Sequence, residues 1–458
     1  GMIVVAARGL SVASQVVSTI ILSRLLSPYD FGLTAMIFAL IGFGPMFIDL
    51  GTSEASSQKT HITQIEVSYL FWLNVAIGAL LTVLLVGCSG LIAAFYGEPA
   101  LSGIAIVSSL TFLAAGVSTQ HFALLRRAMQ FRSLALIDIF SNVLSSLLSI
   151  AMAFTGWGYW ALVAKPVTTS ILQAAGVWIS CPWLPRSPRH TPEARASIRF
   201  GLGVAGFTMT DYIARSADRI VLGYFYGASA LGYYQNAFLL YSNVMGLLTD
   251  PLHNIAVSSL SKLRGNLDDF KRSWANALSS VSFLSALAFA ILTVTGPDFI
   301  VMLLGAKWAP AGPVLCIFAV RGIAQTVERT LGWLHVSAGR SDRWMRWGFF
   351  SAACQVVAIM VGIPFGTIGV ATACTIAIYL LFLPALAYAG KPVGIDAKDV
   401  MAAVGPQTVA GLTAIAFGFA ARELFLADFS LFARFSISSA VCLFTYLAVA
   451  VGIFRAVS

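Results

Sequence analysis

The chain has 458 residues, of which 58% are apolar or aromatic (AVILMFWYC) and only 10% charged, and its formal net charge is +9. A soluble domain is about 25% charged and needs a polar outer shell, so these numbers exclude a soluble globule, a disordered chain, a coiled coil and collagen. With a mean hydropathy of +0.85, what remains is an all-α polytopic membrane protein.

A hydrocarbon core about 30 Å thick needs about 20 mostly apolar residues per helix. Fourteen such runs are predicted, at 6–26, 33–52, 68–94, 100–124, 134–155, 159–181, 200–224, 230–250, 274–296, 313–337, 346–363, 366–389, 401–421 and 435–455. The connections between them are short, which makes consecutive helices antiparallel neighbours. No cleavable signal is visible, since the first apolar run starts almost at residue 1.

Lysine and arginine orient the chain. With a cytoplasmic N-terminus, nineteen of the 28 basic residues fall in inside segments, and only Arg24, Lys307, Arg422 and Arg434 fall outside. Such a bias is the signature of positive inside loops, and it recurs loop after loop. Aromatic residues mark two outer turns, Trp157, Tyr159 and Trp160 at one and Tyr224, Tyr226, Tyr233 and Tyr234 at the other. Interfacial rings and packed core rings both satisfy that placement.

A shift of 200 residues aligns the hairpin 20–50 with 220–250, pairing Ile20 with Ile220, Leu22 with Leu222, Gly32 with Gly232, Phe38 with Phe238 and Leu40 with Leu240. The order of runs repeats as well. An N-terminal lobe of six helices (1–181) is expected, then a basic cytoplasmic linker (182–199) and a second six-helix lobe (200–389). Two extra helices fill 390–458. A parallel repeat of this kind is a common transporter plan, with the substrate site between the halves.

Charges inside the runs are the candidate site, because a charge at mid-membrane costs roughly 2.5–3.5 kcal/mol and faces protein or water. Asp211, Arg215, Asp218 and Arg219 share one helical face of the seventh run, and Arg321, Glu328 and Arg329 share one face of the tenth. Asp138, Lys165 and Arg24 are further intramembrane or rim charges. Internal pairing such as Asp211 with Arg215 accounts for single residues. The two arginine stripes taken together suggest a hydrated cationic cavity. Arginine's planar fork suits phosphate oxygens, so Arg215, Arg219, Arg321, Arg329 and Lys165 are the expected substrate-binding residues. Arg24, Asp30, Asp211, Asp218, Glu328 and Asp138 are the expected gate or ion-coupling residues.

Other signals are set aside. Gly201, Gly203 and Gly206 spell GxGxxG without a preceding strand, and no GxxxxGK[ST] occurs. The six cysteines (Cys88, Cys181, Cys316, Cys354, Cys374, Cys442) lie in apolar runs without a CxxC, and the five histidines show no metal spacing. No cofactor or metal is expected. The bases are not interleaved with surface aromatics, so no nucleic-acid partner is expected.

Several segments carry a resemblance: LSRLLSPYDFGLTAM (22–36), FIDLGTSEA (47–55), LLRRAMQF (124–131), GWGYWALV (156–163), ADRIVLGYFYGASALGYYQNA (217–237) and SAGRSDR (337–343). In this order they resemble the polysaccharide transporter family, the Wzx-type lipid-linked oligosaccharide flippases. That family belongs to the multidrug/oligosaccharidyl-lipid/polysaccharide exporter (MATE-like) superfamily. The likeness is to the exopolysaccharide, colanic-acid and succinoglycan branch. The resemblance implies two six-helix lobes with extra terminal helices and alternating access. It also implies movement of undecaprenyl-diphosphate-linked oligosaccharide across the bacterial inner membrane, with no enzymatic step. A polysaccharide polymerase and a chain-length regulator are the implied partners, with H+ or Na+ as a possible coupling ion. A multidrug or cation antiporter and a peptidoglycan lipid-precursor flippase are the alternatives within the same superfamily.

Overall fold

The computed structural model describes residues 2–49, 52–53, 62–187, 192–263, 266–337, 339–426 and 428–457. Among them no strand occurs, and nearly every residue is helical. In chain order the helices are α1 (Met2–Leu25), α2 (Pro28–Ile41), the short α3 (Gly44–Asp49), α4 (Gln64–Tyr96), α5 (Ala100–Arg127), α6 (Phe131–Phe154) and α7 (Tyr159–Ser180). They continue with α8 (Pro192–Lys262), α9 (Leu267–Leu304), α10 (Ala311–Ser337), α11 (Ser341–Gly362), α12 (Gly366–Gly390), α13 (Ala397–Phe425) and α14 (Leu431–Val457).

Among the described residues, nine stretches are long and apolar enough to cross a membrane. The predicted runs lie largely on helices, but fewer than fourteen qualify as spans among the described residues. Helices α1, α8 and α10 hold no stretch of that length and apolarity among the described residues. The runs 346–363 and 366–389 are joined through a single short 3-10 turn at Ile363–Phe365 and count as one stretch.

Local chemistry sets the breaks. Ser27 ends the α1–α2 turn as a capping box: its hydroxyl faces the Asp30 amide at 3.3 Å, and its own amide donates to the Asp30 carboxylate at 2.9 Å. Pro28 follows at the first helical position, where its missing N–H costs nothing. At the aligned turn 200 residues later the device differs. Gly227 takes φ 75°, ψ −179° and bends α8 without ending it, a conformation that side chains with a Cβ avoid. Thr63 and Asn266 cap α4 and α9, and Gly97 closes α4 with φ 70°.

The chain packs as two compact units, Gly1–Gly232 and Tyr233–Ser458. In the first unit α4 packs on α5, α6 on α7, α5 on α7 and α1 on α6. In the second, α9 packs on α10, α11 on α12 and α10 on α12. Three pairings thus recur in the same order. Helices α13 and α14 pack on each other and on α9, through the small buried side chains Ala286, Ala290, Ala410, Ala414 and Cys442. Close backbone approach through small residues is how helices associate where lipid removes the hydrophobic drive. A larger core in the second unit centres on Phe270, Trp274, Leu278, Trp333 and Leu334.

The predicted basic linker begins as an extended segment after α7, strapped onto the first unit. Gln64 Nε2 donates to the Leu184 carbonyl at 2.9 Å, and Trp72 Nε1 donates to the Arg186 carbonyl at 2.9 Å. The Arg186 amide donates to Ser68 Oγ at 3.0 Å. Residues 188–191 lie outside the described residues.

Candidate functional site

Among the described residues, polar groups gather inside apolar helices in both units. In the first unit Asp138 on α6 gathers three donors: Ser11 Oγ at 3.0 Å, Asn142 Nδ2 at 3.0 Å and Gln173 Nε2 at 3.3 Å. Two turns further along α1, Ser18 Oγ receives Lys165 Nζ at 3.0 Å. Ser11 and Ser18 are seven residues apart and share one face of α1. Lys165, Thr169 and Gln173 share one face of α7, and Thr169 Oγ1 donates to Ser145 Oγ at 2.7 Å. The acid and the base thus attach to the same serine face at different heights, each surrounded by neutral polar groups. Removing any one neighbour leaves a polar group short of a partner in a low-dielectric bundle, where that is costly.

Along α8 the predicted stripe resolves into separate roles. Asp218 is buried, and its carboxylate receives the Arg219 amide at 2.8 Å and lies 3.7 Å from Arg219 Nε. Arg219 also donates to the Arg215 carbonyl and Ser216 Oγ, both at 3.1 Å, which folds it back onto its own helix. Arg215 is exposed. The side chain of Asp211 lies outside the described residues. Arg24 is exposed in the last turn of α1, where a cation complements the helix dipole. Asp30 is held in the Ser27 capping box.

In the second unit α10 runs alongside the last part of α8. Gln325 Oε1 accepts from both the Tyr241 hydroxyl and Arg321 Nε, the latter at 3.2 Å. One turn on, Thr326 Oγ1 reaches Met245 Sδ at 3.8 Å. Beyond it Arg329 Nη1 donates to Thr249 Oγ1 at 2.8 Å and lies 3.4 Å from Asp250 Oδ1. Tyr241, Met245 and Thr249 are spaced by four, as are Arg321, Gln325 and Arg329, so two parallel faces meet rung by rung. This ladder fixes the plane of the Arg321 guanidinium through Nε. Glu328 is half-buried on the same helix. A planar cation held in a fixed orientation is the geometry that recognises phosphate or carboxylate in a directional way.

Several partners escaped the sequence reading: Ser11, Ser18, Asn142, Gln173, Tyr241, Thr249 and Gln325. A readable signal existed for most of them. Polar residues recur every three or four positions within apolar runs, as in Asp138, Asn142, Ser145 and Ser149. The buried Asp298 was also missed. It lies 2.5 Å from Arg434 Nη2 and 3.4 Å from Arg422 Nη2, tying α13 and α14 to α9.

A bundle of apolar helices with oriented charges buried along selected faces defines a multi-pass membrane protein of the transporter class. The chain belongs to the polysaccharide biosynthesis protein family, whose model matches residues 21–313. It is 27% identical over 311 residues to the teichuronic acid biosynthesis protein TuaB of Bacillus subtilis, covering 67% of this chain and 64% of that protein. It is 24% identical over 347 residues to the succinoglycan biosynthesis transport protein ExoT of Rhizobium meliloti, covering 75% of this chain and 69% of that one. Among solved structures it is similar to the lipid II flippase MurJ in an inward closed conformation, with a TM-score of 0.78, 15% identity and full coverage of both chains. At that identity the likeness is one of fold.

Proposed function

We propose that this protein is a flippase. It moves undecaprenyl-diphosphate-linked oligosaccharide repeat units across the bacterial inner membrane, N-terminus in the cytoplasm, for synthesis of an exopolysaccharide or a related surface polysaccharide. Family membership supports the polysaccharide side of this reading, and the description of ExoT as a transport protein supports movement rather than bond chemistry. The observation that carries it is the arginine ladder of α10. Arg321 is oriented by Gln325 and Tyr241, and Arg329 stands two turns along the same face. A diphosphate presents pairs of anionic oxygens that an arginine fork binds through two parallel hydrogen bonds. Arg215, Arg219 and Lys165 of the first unit are further cations suited to a diphosphate, and the polyprenyl chain stays in lipid. Asp138, Asp218, Glu328 and Asp211 are the groups offered for ion coupling with H+ or Na+, and Arg24 and Asp30 for the outer end of the path. Transport proceeds by alternating access, with no catalytic residue. A polymerase and a chain-length regulator receive the product.

A peptidoglycan lipid-precursor flippase is the second reading, favoured by the full-length fold match to MurJ. Lipid analysis of a strain lacking the protein separates the two. The first reading predicts accumulation of complete lipid-linked repeat units of the surface polysaccharide, cleared by wild type but not by Arg321→Ala. Accumulation of the peptidoglycan precursor instead would select the second reading. Raised drug sensitivity with no lipid intermediate would select an antiporter.

A further inference from the structure

One cavity of the second unit is lined by none of the polar groups described above. Helix α9 has 38 residues, about 57 Å at 1.5 Å per residue, against a hydrocarbon core of about 30 Å. Its first turns therefore stand at or beyond the membrane rim. There Lys271, Arg272, Asn276 and Ser279 of α9 face Asp399 and Ala402 of α13 across a cavity of about 420 Å³. That volume lies within the roughly 300–1,000 Å³ typical of small-molecule sites. The short side chains of Ala275, Ala402 and Ala403 leave the space. The buried rings of Phe270 and Trp274, on the opposite face of the same turns, hold α9 rigidly to the core.

The polar groups of the cavity are not matched to one another. The Asp399 carboxylate already accepts the Asp396 amide at 2.9 Å in the capping box of α13. Among the described residues neither Lys271 nor Arg272 enters an ion pair. Lys271 Nζ lies beside Gly394, 3.1 Å from where a Cβ on that residue would stand, and Gly394 has φ +65°. Ser279 Oγ is oriented by Gln407 Nε2, 2.8 Å away, from a buried side chain. The exposed apolar side chains of Leu267 and Met401 lie one turn before Lys271 on α9 and one residue before Ala402 on α13. The result is a pair of adjacent cations with neutral polar groups beneath and apolar surface beside them, at the height of lipid headgroups.

We propose that this cavity binds the phosphate headgroup of an anionic phospholipid, in the leaflet to which the lysine and arginine bias assigns the cytoplasm. Lys271 and Arg272 pair with the phosphate, Asn276 and Ser279 reach its glycerol side, and the acyl chains run along α9 and α13. Basic pockets between membrane helices on that side are suited to such headgroups, and an arginine fork with a lysine point charge is a phosphate-binding set. The bound lipid acts as a wedge that fastens α13 to α9. The site is independent of the transported substrate and does not rest on the proposed function.

The test is native mass spectrometry of the full chain in detergent, with phosphatidylglycerol, phosphatidylcholine and inorganic phosphate as probes. Phosphatidylglycerol is retained in preference to phosphatidylcholine, and inorganic phosphate does not displace it at equal concentration. Each cation near the surface is worth about fivefold, so Lys271→Gln with Arg272→Gln lowers retention roughly 25-fold. Ala402→Phe, which fills the cavity and keeps both charges, also abolishes retention. Lys391→Gln, an exposed change outside the lining, leaves it unchanged. Equal retention of both lipids, or undiminished retention in the double variant or in Ala402→Phe, would overturn the proposal. Displacement by inorganic phosphate would assign the site to a soluble anion instead.

Discussion

Gly32 and Gly232 stand in a reciprocal relation. A Cβ on Gly32 would lie 1.7 Å from the Ala228 carbonyl oxygen, and a Cβ on Gly232 would lie 1.9 Å from the Pro28 carbonyl oxygen. Residue 28 answers to 228 and residue 32 to 232 under the same 200-residue shift that aligns the two hairpins. Contact i to j and j to i is what a local two-fold axis produces. The two helices cross here backbone to backbone, a contact only glycine permits.

Gly32→Ala and Gly232→Ala should therefore each be severely damaging, because a new Cβ meets a carbonyl rather than a side chain that can move. Overpacking costs about 1–3 kcal/mol even where neighbours yield, and both variants are expected at or above the top of that range. Thermal unfolding of the purified variants checks this. Gly87→Ala and Gly90→Ala, where nothing lies within 4 Å of the added Cβ, should not lower the midpoint, since alanine is favoured over glycine inside a helix by up to about 1 kcal/mol.

The Arg321 ladder gives a graded series. Arg321→Ala removes a charge-assisted contact worth roughly 1.5–3 kcal/mol, so transport should fall more than tenfold. Arg321→Lys keeps the charge but loses the fork, and should recover only part of the rate. Tyr241→Phe removes one donor to Gln325 and should give a smaller loss. Initial rates of lipid-linked oligosaccharide appearance at the outer leaflet rank the three.

Asp138 separates structure from charge. Asp138→Ala takes the carboxylate from Ser11 Oγ and Gln173 Nε2, at about 1–3 kcal/mol for each donor left unsatisfied, and leaves Asn142 Nδ2 the backbone carbonyl of residue 138 at 2.9 Å. Asp138→Asn keeps a carbonyl oxygen for both amides, and Ser11 can turn its hydroxyl to accept. Thermal unfolding should show Asp138→Asn close to wild type and Asp138→Ala clearly destabilised. If Asp138 carries the coupling ion, Asp138→Asn loses transport despite its intact fold.

Asp298 makes the second stability prediction. Its side chain is 2% exposed between Arg422 and Arg434. Removing one partner of a buried ion cluster costs about 3–5 kcal/mol, because the remaining charges stay buried. Asp298→Ala should loosen α13 and α14 from α9 and lower the thermal midpoint strongly. Glu423→Gln, an exposed neighbour of Arg422, should not.

Much of this was legible in the chain itself. Length and composition gave the membrane class, and apolar runs gave helices because a lipid-facing backbone must satisfy its own hydrogen bonds. The aligned glycines 32 and 232 were visible as identities, but their contact was not, since close approach depends on where two distant helices cross. The arginines of α10 stood out because charge in an apolar run is expensive. Gln325 and Tyr241 did not, since neutral polar residues are tolerated there for many reasons. Asp30 reads in the sequence as a gate or coupling residue; its place in the Ser27 capping box escapes that reading, although the two residues stand three apart. The Gly227 bend left no proline or serine signal of the kind that marks Ser27 and Pro28.

The proposed function has oriented arginines carry a lipid diphosphate across the membrane. Its most direct test is a flipping measurement in proteoliposomes made with purified protein. Undecaprenyl-diphosphate-linked oligosaccharide is placed in one leaflet, and a membrane-impermeant glycosidase outside reports its arrival. Wild type should expose the glycan at a rate well above protein-free liposomes, with Arg321→Ala near background and Gly87→Ala unaffected. Equal rates for wild type and Arg321→Ala would contradict the arginine account, and a wild-type rate no higher than protein-free liposomes would contradict the flippase itself.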